Sequence, residues 1–396
     1  MCLQLEIILL IKMITRRKKN IYFFTGKRGG FSHYISIIRS VQKIKLFKYK
    51  IIVGDMHLSN FFGSTVSEIN QYTKNLIKLG KFNIKDSKKN RLSVISNTIT
   101  KVGKILLENK PDLLFLLGDR AEVLGAAIAA LHNNIPIVHM YGGDITQGGT
   151  DEPTRHAITK ISNIHLTSNL QSYKNVISMR EEKWRVFNVG LSSLDLFKND
   201  FFKSKKYLEN KYKLNLNKPL IILIQHSVTW QVNESKFQIN ETLKSLDHFK
   251  YQTIAIYPCS DPGYKNIVNS MINYNKKKYF KLFKNIEIQD FYSLLKYCTL
   301  IIGNSSCGIT ESEFFKKPTI NIGIRQQGRV CGKNVIHVNH KKKHITQAIN
   351  YVIKNKALFN KIKKENLYGS GNSSTKILKI IKTVIHKKNL VRKQFV

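Results

Sequence analysis

IIGNSSCGITESEFFKKPTINIG, running from Ile301 to Gly323, is the stretch whose reading decides the fold. An apolar run, Thr299 to Ile302, stops at Gly303, and Asn304-Ser305-Ser306 makes a tight polar turn. A helix-like segment follows and ends at Lys317-Pro318; Thr319 to Ile322 then reads as the next strand. A small, hydroxyl-rich turn between a strand and a helix offers free backbone N–H groups at the positive end of the helix dipole, which suits a phosphate. The same turn also reads as a plain capped helix. On the first reading, a phosphorylated ligand sits at the carboxyl end of a parallel sheet.

The same rhythm runs along the whole chain. Strands are expected at Ile21–Phe24, Ile51–Val53, Leu113–Leu117, Ile135–His139 and Ile164–Thr167, with helical patterns between them such as Glu122–His132. A second series follows at Leu220–Ile224, Thr253–Tyr257, Leu300–Ile302 and Thr319–Ile322. The fold class expected is therefore α/β, with two Rossmann-like domains whose parallel sheets face a cleft. The expected division is an N-terminal extension over 1–19, a first domain over 20–205, a second over 206–372, and a C-terminal helix over 373–396 that packs back on the first domain. Lys198–Lys218, rich in Lys and Asn, reads as the linker.

The 396 residues carry a net charge of +41, with Lys far outnumbering Arg. The Lys residues are scattered, with no Arg-rich, aromatic-interleaved stripe, so they read as a solvated surface that attracts anionic substrates. Nucleic acid is not an expected partner. The five cysteines form no CxxC pair and no Cys/His cluster at zinc spacing, which fits a reducing cytoplasm. The apolar run of the first twelve residues is too short to span a bilayer, so no stable membrane insertion is expected. That segment reads as a weak surface anchor or, the reading preferred here, as an extension ahead of a start at Met13.

Polar clusters end several strands and should face one cleft. Gly26-Lys27-Arg28-Gly29-Gly30 allows close backbone approach, and Arg28 suits a phosphate or is part of a basic turn. His57 is a sugar contact or a loop residue. Asp119, in GDRAE, stands where a general acid or base would be presented and equally where a helix N-cap belongs; capping leaves Arg120 unexplained, and Arg120 is expected to bind substrate. Asp144, Asp151 and Glu152 surround a glycine-rich loop, the raw material for paired-carboxylate chemistry, although Asp151 also suits a cap. His226, Arg325, Ser305 and Ser306 should share the cleft. Glu311, inside the helix after the Ser-Ser turn, either holds the two hydroxyls of a ribose or faces solvent.

The ordered set GDRAE, HMYGGD, DEPTRHAITK, the glycine after Val189, QHSVT, GNSSCGITE and NIGIRQQGR closely resembles the hydrolysing UDP-N-acetylglucosamine 2-epimerase family over residues 20 to 385. The resemblance implies a glycosyltransferase-B type fold, a homodimer or homotetramer, a UDP-sugar substrate, and no metal and no cofactor. It also implies elimination of UDP to a 2-acetamidoglucal followed by addition of water to give the free manno sugar. Position by position, it implies that Arg28 contacts phosphate, Asp119 acts in proton transfer and Asp151 matches the acid before the RHAITK segment. His226 matches the His after the first strand of the second domain; Ser305 and Ser306 match the pair holding the pyrophosphate, Glu311 the ribose-binding acid, and Arg325 a substrate contact. The chain departs from the family at Gly29 and Gly30, at His33, where some members have Lys, and at Tyr141, where some carry a catalytic Glu. Asp144 or Asp151 would then take that role. A non-hydrolysing epimerase and a glycosyltransferase of the same fold are the alternatives.

Overall fold

The computed structural model describes residues 17–80, 85–198, 200–394 and 396. Most of the expected N-terminal extension lies outside them. Thirteen strands are present among the described residues: β1 (Lys19–Thr25), β2 (Phe47–Val53), β3 (Leu76–Lys78), β4 (Leu113–Leu117), β5 (Ile137–Met140), β6 (Ile164–Thr167) and β7 (Val186–Asn188) in the first half, then β8 (Leu220–Ile224), β9 (Gln252–Ile256), β10 (Phe280–Phe283), β11 (Leu300–Gly303), β12 (Thr319–Ile322) and β13 (Val335–Val338). They form two all-parallel sheets, ordered β3-β2-β1-β4-β5-β6-β7 and β10-β9-β8-β11-β12-β13. This α/β architecture follows from the sequence: the central strands are continuous Ile, Leu, Val and Phe runs, buried on both faces by the crossover helices.

Strand order reverses between β1 and β4 in one sheet and between β8 and β11 in the other. Loops at such points diverge to opposite faces and leave a crevice at the carboxyl ends of the strands. The loops after β1 and β4 carry Arg28 and Asp119, and those after β8 and β11 carry His226 and Ser305. The second pair of loops is locked together, because Asn304 accepts the His226 N–H at 2.7 Å and returns a bond to the His226 carbonyl at 2.9 Å.

Two local expectations are corrected. The linker contains a helix, Lys205–Tyr212, capped by the Ser204 side chain; Leu208 and Tyr212 anchor it in the core, and the Tyr212 hydroxyl donates to Asp290 at 2.7 Å. The segment after the Ser-Ser turn forms only one helical turn, Cys307–Thr310, so Glu311 lies at its end and not inside it. Phe314 and Phe315 are drawn into an aromatic cluster with Phe197 and Phe202, which turns the chain away from the helix axis.

Helix Ser373–Val384 buries Ile377, Ile381 and Val384 in the cluster that holds Ile35 and Ile38 of helix Ser32–Gln42. Its first two amides donate to the Asp195 carboxylate at 2.9 and 2.6 Å, an acid supplied to the helix N-terminus by the first half of the chain.

Candidate active site

A cavity of ≈ 1050 Å³, its open mouth included, lies between the two sheets. Lys27, Arg28, His33 and Arg120 line it from the first half, and His226, Tyr292, Ser305, Ser306, Glu311 and Arg325 from the second. Its far end is apolar, formed by Ile256, Ile286, Ile288 and Phe291.

The Ser-Ser turn is open for a ligand. Ser306 occupies the N-cap position, yet its side chain makes no capping bond, so the hydroxyl is not committed to the helix. Gly303 is required here: its φ is +126°, and a Cβ would stand 2.0 Å from the Ile224 carbonyl. His226 faces the same turn. Its Nδ1 accepts the Cys259 N–H at 3.0 Å, and burial followed by Arg325 holds its pKa well below the ordinary histidine value. The neutral ring therefore carries its proton on Nε2, as a donor.

The acids of the first half fall into different environments. Asp119 does not cap helix Ala121–His132; Arg120 takes that position, and the Asp119 carboxylate pairs with Arg155. Burial alone would raise the Asp119 pKa, but Arg155, Lys27 and Arg329 together outweigh it and hold the group below the usual carboxylate range. Asp151 is the first residue of helix Asp151–Ile161, after Thr150, and its Oδ2 accepts from Arg325 at 3.1 Å across the cleft. Burial and then the nearby Asp119 charge push Asp151 upward, against Arg325. Asp144 is enclosed: Oδ1 accepts from Ser168 at 2.9 Å and Ser172 at 2.5 Å, and Oδ2 pairs with Arg329. Its pKa is lowered because Arg329 and Arg155 overcome its burial.

Two basic residues expected at the ligand are engaged by protein. Arg28 donates to the carbonyls of Tyr257 at 2.8 Å, Pro258 at 2.9 Å and Lys284. Arg120 pairs with Asp261 and donates to Ser260 Oγ at 2.9 Å. Both therefore tie the two halves together while lining the cavity. His57 is not at the cavity. It is 1 % exposed, and its ring nitrogens meet Thr25 Oγ1 at 2.8 Å and Thr65 Oγ1 at 2.7 Å. Glu311 is buried, not solvent-facing; it accepts from Tyr292 at 3.3 Å and pairs with Thr310, and burial raises its pKa.

Tyr141 has a left-handed backbone, φ +66°, and its hydroxyl accepts the Ser192 N–H at 3.0 Å and lies 3.3 Å from His33 Nδ1. Burial pushes its pKa further above the ordinary tyrosine value, so it stays protonated and cannot act as a base in place of a carboxylate.

Sequence reasoning missed Arg155 and Arg329, which set the charge state of Asp119 and Asp144, and Asp261, which pairs with Arg120. Asp261 could have been found by the rule used for the other clusters, since it follows the end of β9. Among the described residues no group of His, Cys, Asp and Glu is placed to hold a metal ion.

The family model described as UDP-N-acetylglucosamine 2-epimerase matches residues 39–382, most of the chain. The chain belongs to the UDP-N-acetylglucosamine 2-epimerase family. Within that family it is 34% identical over 81% of its length to the "GDP/UDP-N,N'-diacetylbacillosamine 2-epimerase (hydrolyzing)" of Campylobacter jejuni, covering 84% of that protein. It is 33% identical over 95% of its length to "Polysialic acid biosynthesis protein P7" of Escherichia coli, covering 97% of it. The epimerase fold is shared with the UDP-GlcNAc 2-epimerase of Neisseria meningitidis solved with UDP-GlcNAc, at a TM-score of 0.76 and 19% identity over 92% of this chain and 99% of that one.

Proposed function

We propose that this epimerase is hydrolysing: it removes the proton at C2 of a UDP-sugar, expels UDP to leave a 2-acetamidoglucal, and adds water to release the free manno sugar. The observation that carries this reading is a pair of neighbouring acids with opposed pKa shifts, Asp119 down and Asp151 up; neither lines the main cavity itself, but Asp151 binds Arg325, which lines it together with Ser305 and Ser306. Divergent environments are how two carboxylates come to divide acid and base work. Asp119 is the ionised partner and takes the C2 proton; Asp151, whose carboxyl is shifted upward, is the group assigned to returning a proton to C2. Ser305, Ser306 and the His226 Nε2–H hold the pyrophosphate, where negative charge grows as the C1–O bond breaks. Lys27 and Arg325 add positive charge at the cavity wall. Glu311, beside Tyr292, takes the ribose hydroxyls.

The sugar is UDP-N-acetylglucosamine or its 2,4-diacetamido-trideoxy counterpart, both with an acetamide at C2, and the product serves sialic- or legionaminic-type sugar synthesis. We also propose a cytoplasmic homodimer or homotetramer, on the family resemblance. No helix among the described residues is long and apolar enough to cross a membrane. UDP release from each UDP-sugar with no acceptor present tests the reaction class. Release without an acceptor is expected; release only when an acceptor sugar is added would instead make the chain a transferase.

A further inference from the structure

A second, small cavity lies behind Arg325, with ≈ 10 Å³ for the centre of a water molecule, the room for one water. Asp151, Ser227, Thr229 and Arg325 are among its walls, and Arg325 also lines the main cavity, so one side chain divides the two spaces. Ser227 Oγ has no hydrogen-bond partner among the described residues, and Ser227 is 2 % exposed. A buried hydroxyl without a protein partner is unfavourable unless water satisfies it. Gly263 makes the close fit possible: with φ +90°, a Cβ there would stand 2.6 Å from Ser227 Oγ. Asp151 gives only Oδ2 to Arg325 among its side-chain bonds, which leaves Oδ1 for a second partner.

We propose that this cavity seats the water that hydrates the unsaturated sugar, with Ser227 as its positioning residue and Asp151 as the group that exchanges protons with it. The inference rests on the hydrolysing reading above. In the step, the water oxygen bonds to C1 and the C1=C2 electron pair forms the new C2–H bond with the proton of the Asp151 carboxyl. The proton shed by the water returns to that carboxyl, so one water is added and nothing is left over. A seat with room for a single water, set apart from the main cavity by Arg325, would deliver one water after UDP has left.

The test compares the full-length protein with Ser227→Val, which fills the seat, and Ser227→Ala, which removes only the hydroxyl. Proton NMR follows UDP, the free manno sugar and the 2-acetamidoglucal together, and a Tm shift with UDP shows that each variant is folded. Wild type is expected to make UDP and manno sugar in equal amounts. Ser227→Val is expected to release UDP while the glycal builds up about tenfold over wild type, with a smaller rise for Ser227→Ala. A folded Ser227→Val protein that keeps UDP and manno sugar equal, at any rate, overturns the proposal. No UDP release from wild type would instead sink the hydrolysing reading itself.

Discussion

Asp151 Oδ2 and Arg325 Nη2 meet at 3.1 Å across the cleft, joining the acid-rich loop of one sheet to the strand-end loop of the other. Arg325 also donates to the Asn304 carbonyl at 3.1 Å, in the turn that carries Ser305 and Ser306. The proton chemistry and the leaving-group site are therefore built on one connected piece of structure. Asp144 with Arg329 and Asp261 with Arg120 repeat the link on either side.

Asp119→Asn should remove the base and leave the nucleotide site in place. Loss of a general base typically lowers kcat by about 10²–10⁴. UDP release from the variant should fall by that much while UDP binding, measured by calorimetry, changes little. Full activity in the variant would contradict the assignment.

Replacing Ser305 and Ser306 together by Ala should weaken ground-state binding. Hydrogen bonds to charged groups contribute about 1.5–3 kcal/mol each, so KM for the nucleotide sugar should rise at least tenfold. An unchanged KM would show that the turn does not hold phosphate.

Asp144→Asn leaves the partly buried Arg329 without its ion-pair partner at the buried Asp144 position. Breaking a buried pair from one side costs about 3–5 kcal/mol. A large fall in Tm is expected, with wild-type KM in the protein that remains folded. An unchanged Tm would argue that Asp144 is not a structural tie.

Three histidines set an acid limit on stability, His57 and His139 buried and His33 partly buried. Burial lowers His33, His57 and His139 to about 3 each, so the native state keeps them neutral while the unfolded chain protonates near 6.5. The unfolded state then binds more protons, and stability falls as pH drops through 6.5 toward 3, by up to about 1.4 kcal/mol per pH unit for each group. His57→Gln, away from the cavity, should make Tm less dependent on pH between 6 and 4. An unchanged slope would show that His57 does not carry this linkage.

Much of this was legible in the chain. Leu113–Leu117, Ile164–Thr167, Leu220–Ile224 and Thr319–Ile322 are found at their expected bounds, because interior strands buried on both faces read as unbroken apolar runs. The four strands missed, β3, β7, β10 and β13, are the four sheet edges. Each is short and partly exposed, and a Lys in Leu76–Lys78 and Phe280–Phe283 and a His in Val335–Val338 interrupt the pattern. The site residues were visible as strand-end clusters, but their electrostatics were not. Asp119 meets Arg155 from helix Asp151–Ile161, and Arg120 meets Asp261 from the other half of the chain, so local sequence favoured a helix cap over an ion pair. His57 shows the reverse error: a polar strand-end residue that the fold turns inward to two threonines.

The reaction proposed is cleavage of the C1–O bond with inversion at C2, through a glycal between substrate and product. Proton NMR of each UDP-sugar with the purified protein in heavy water tests it most directly. The account predicts UDP and a free manno sugar carrying deuterium at C2. A product still joined to UDP, or a free sugar retaining its C2 proton, would contradict it.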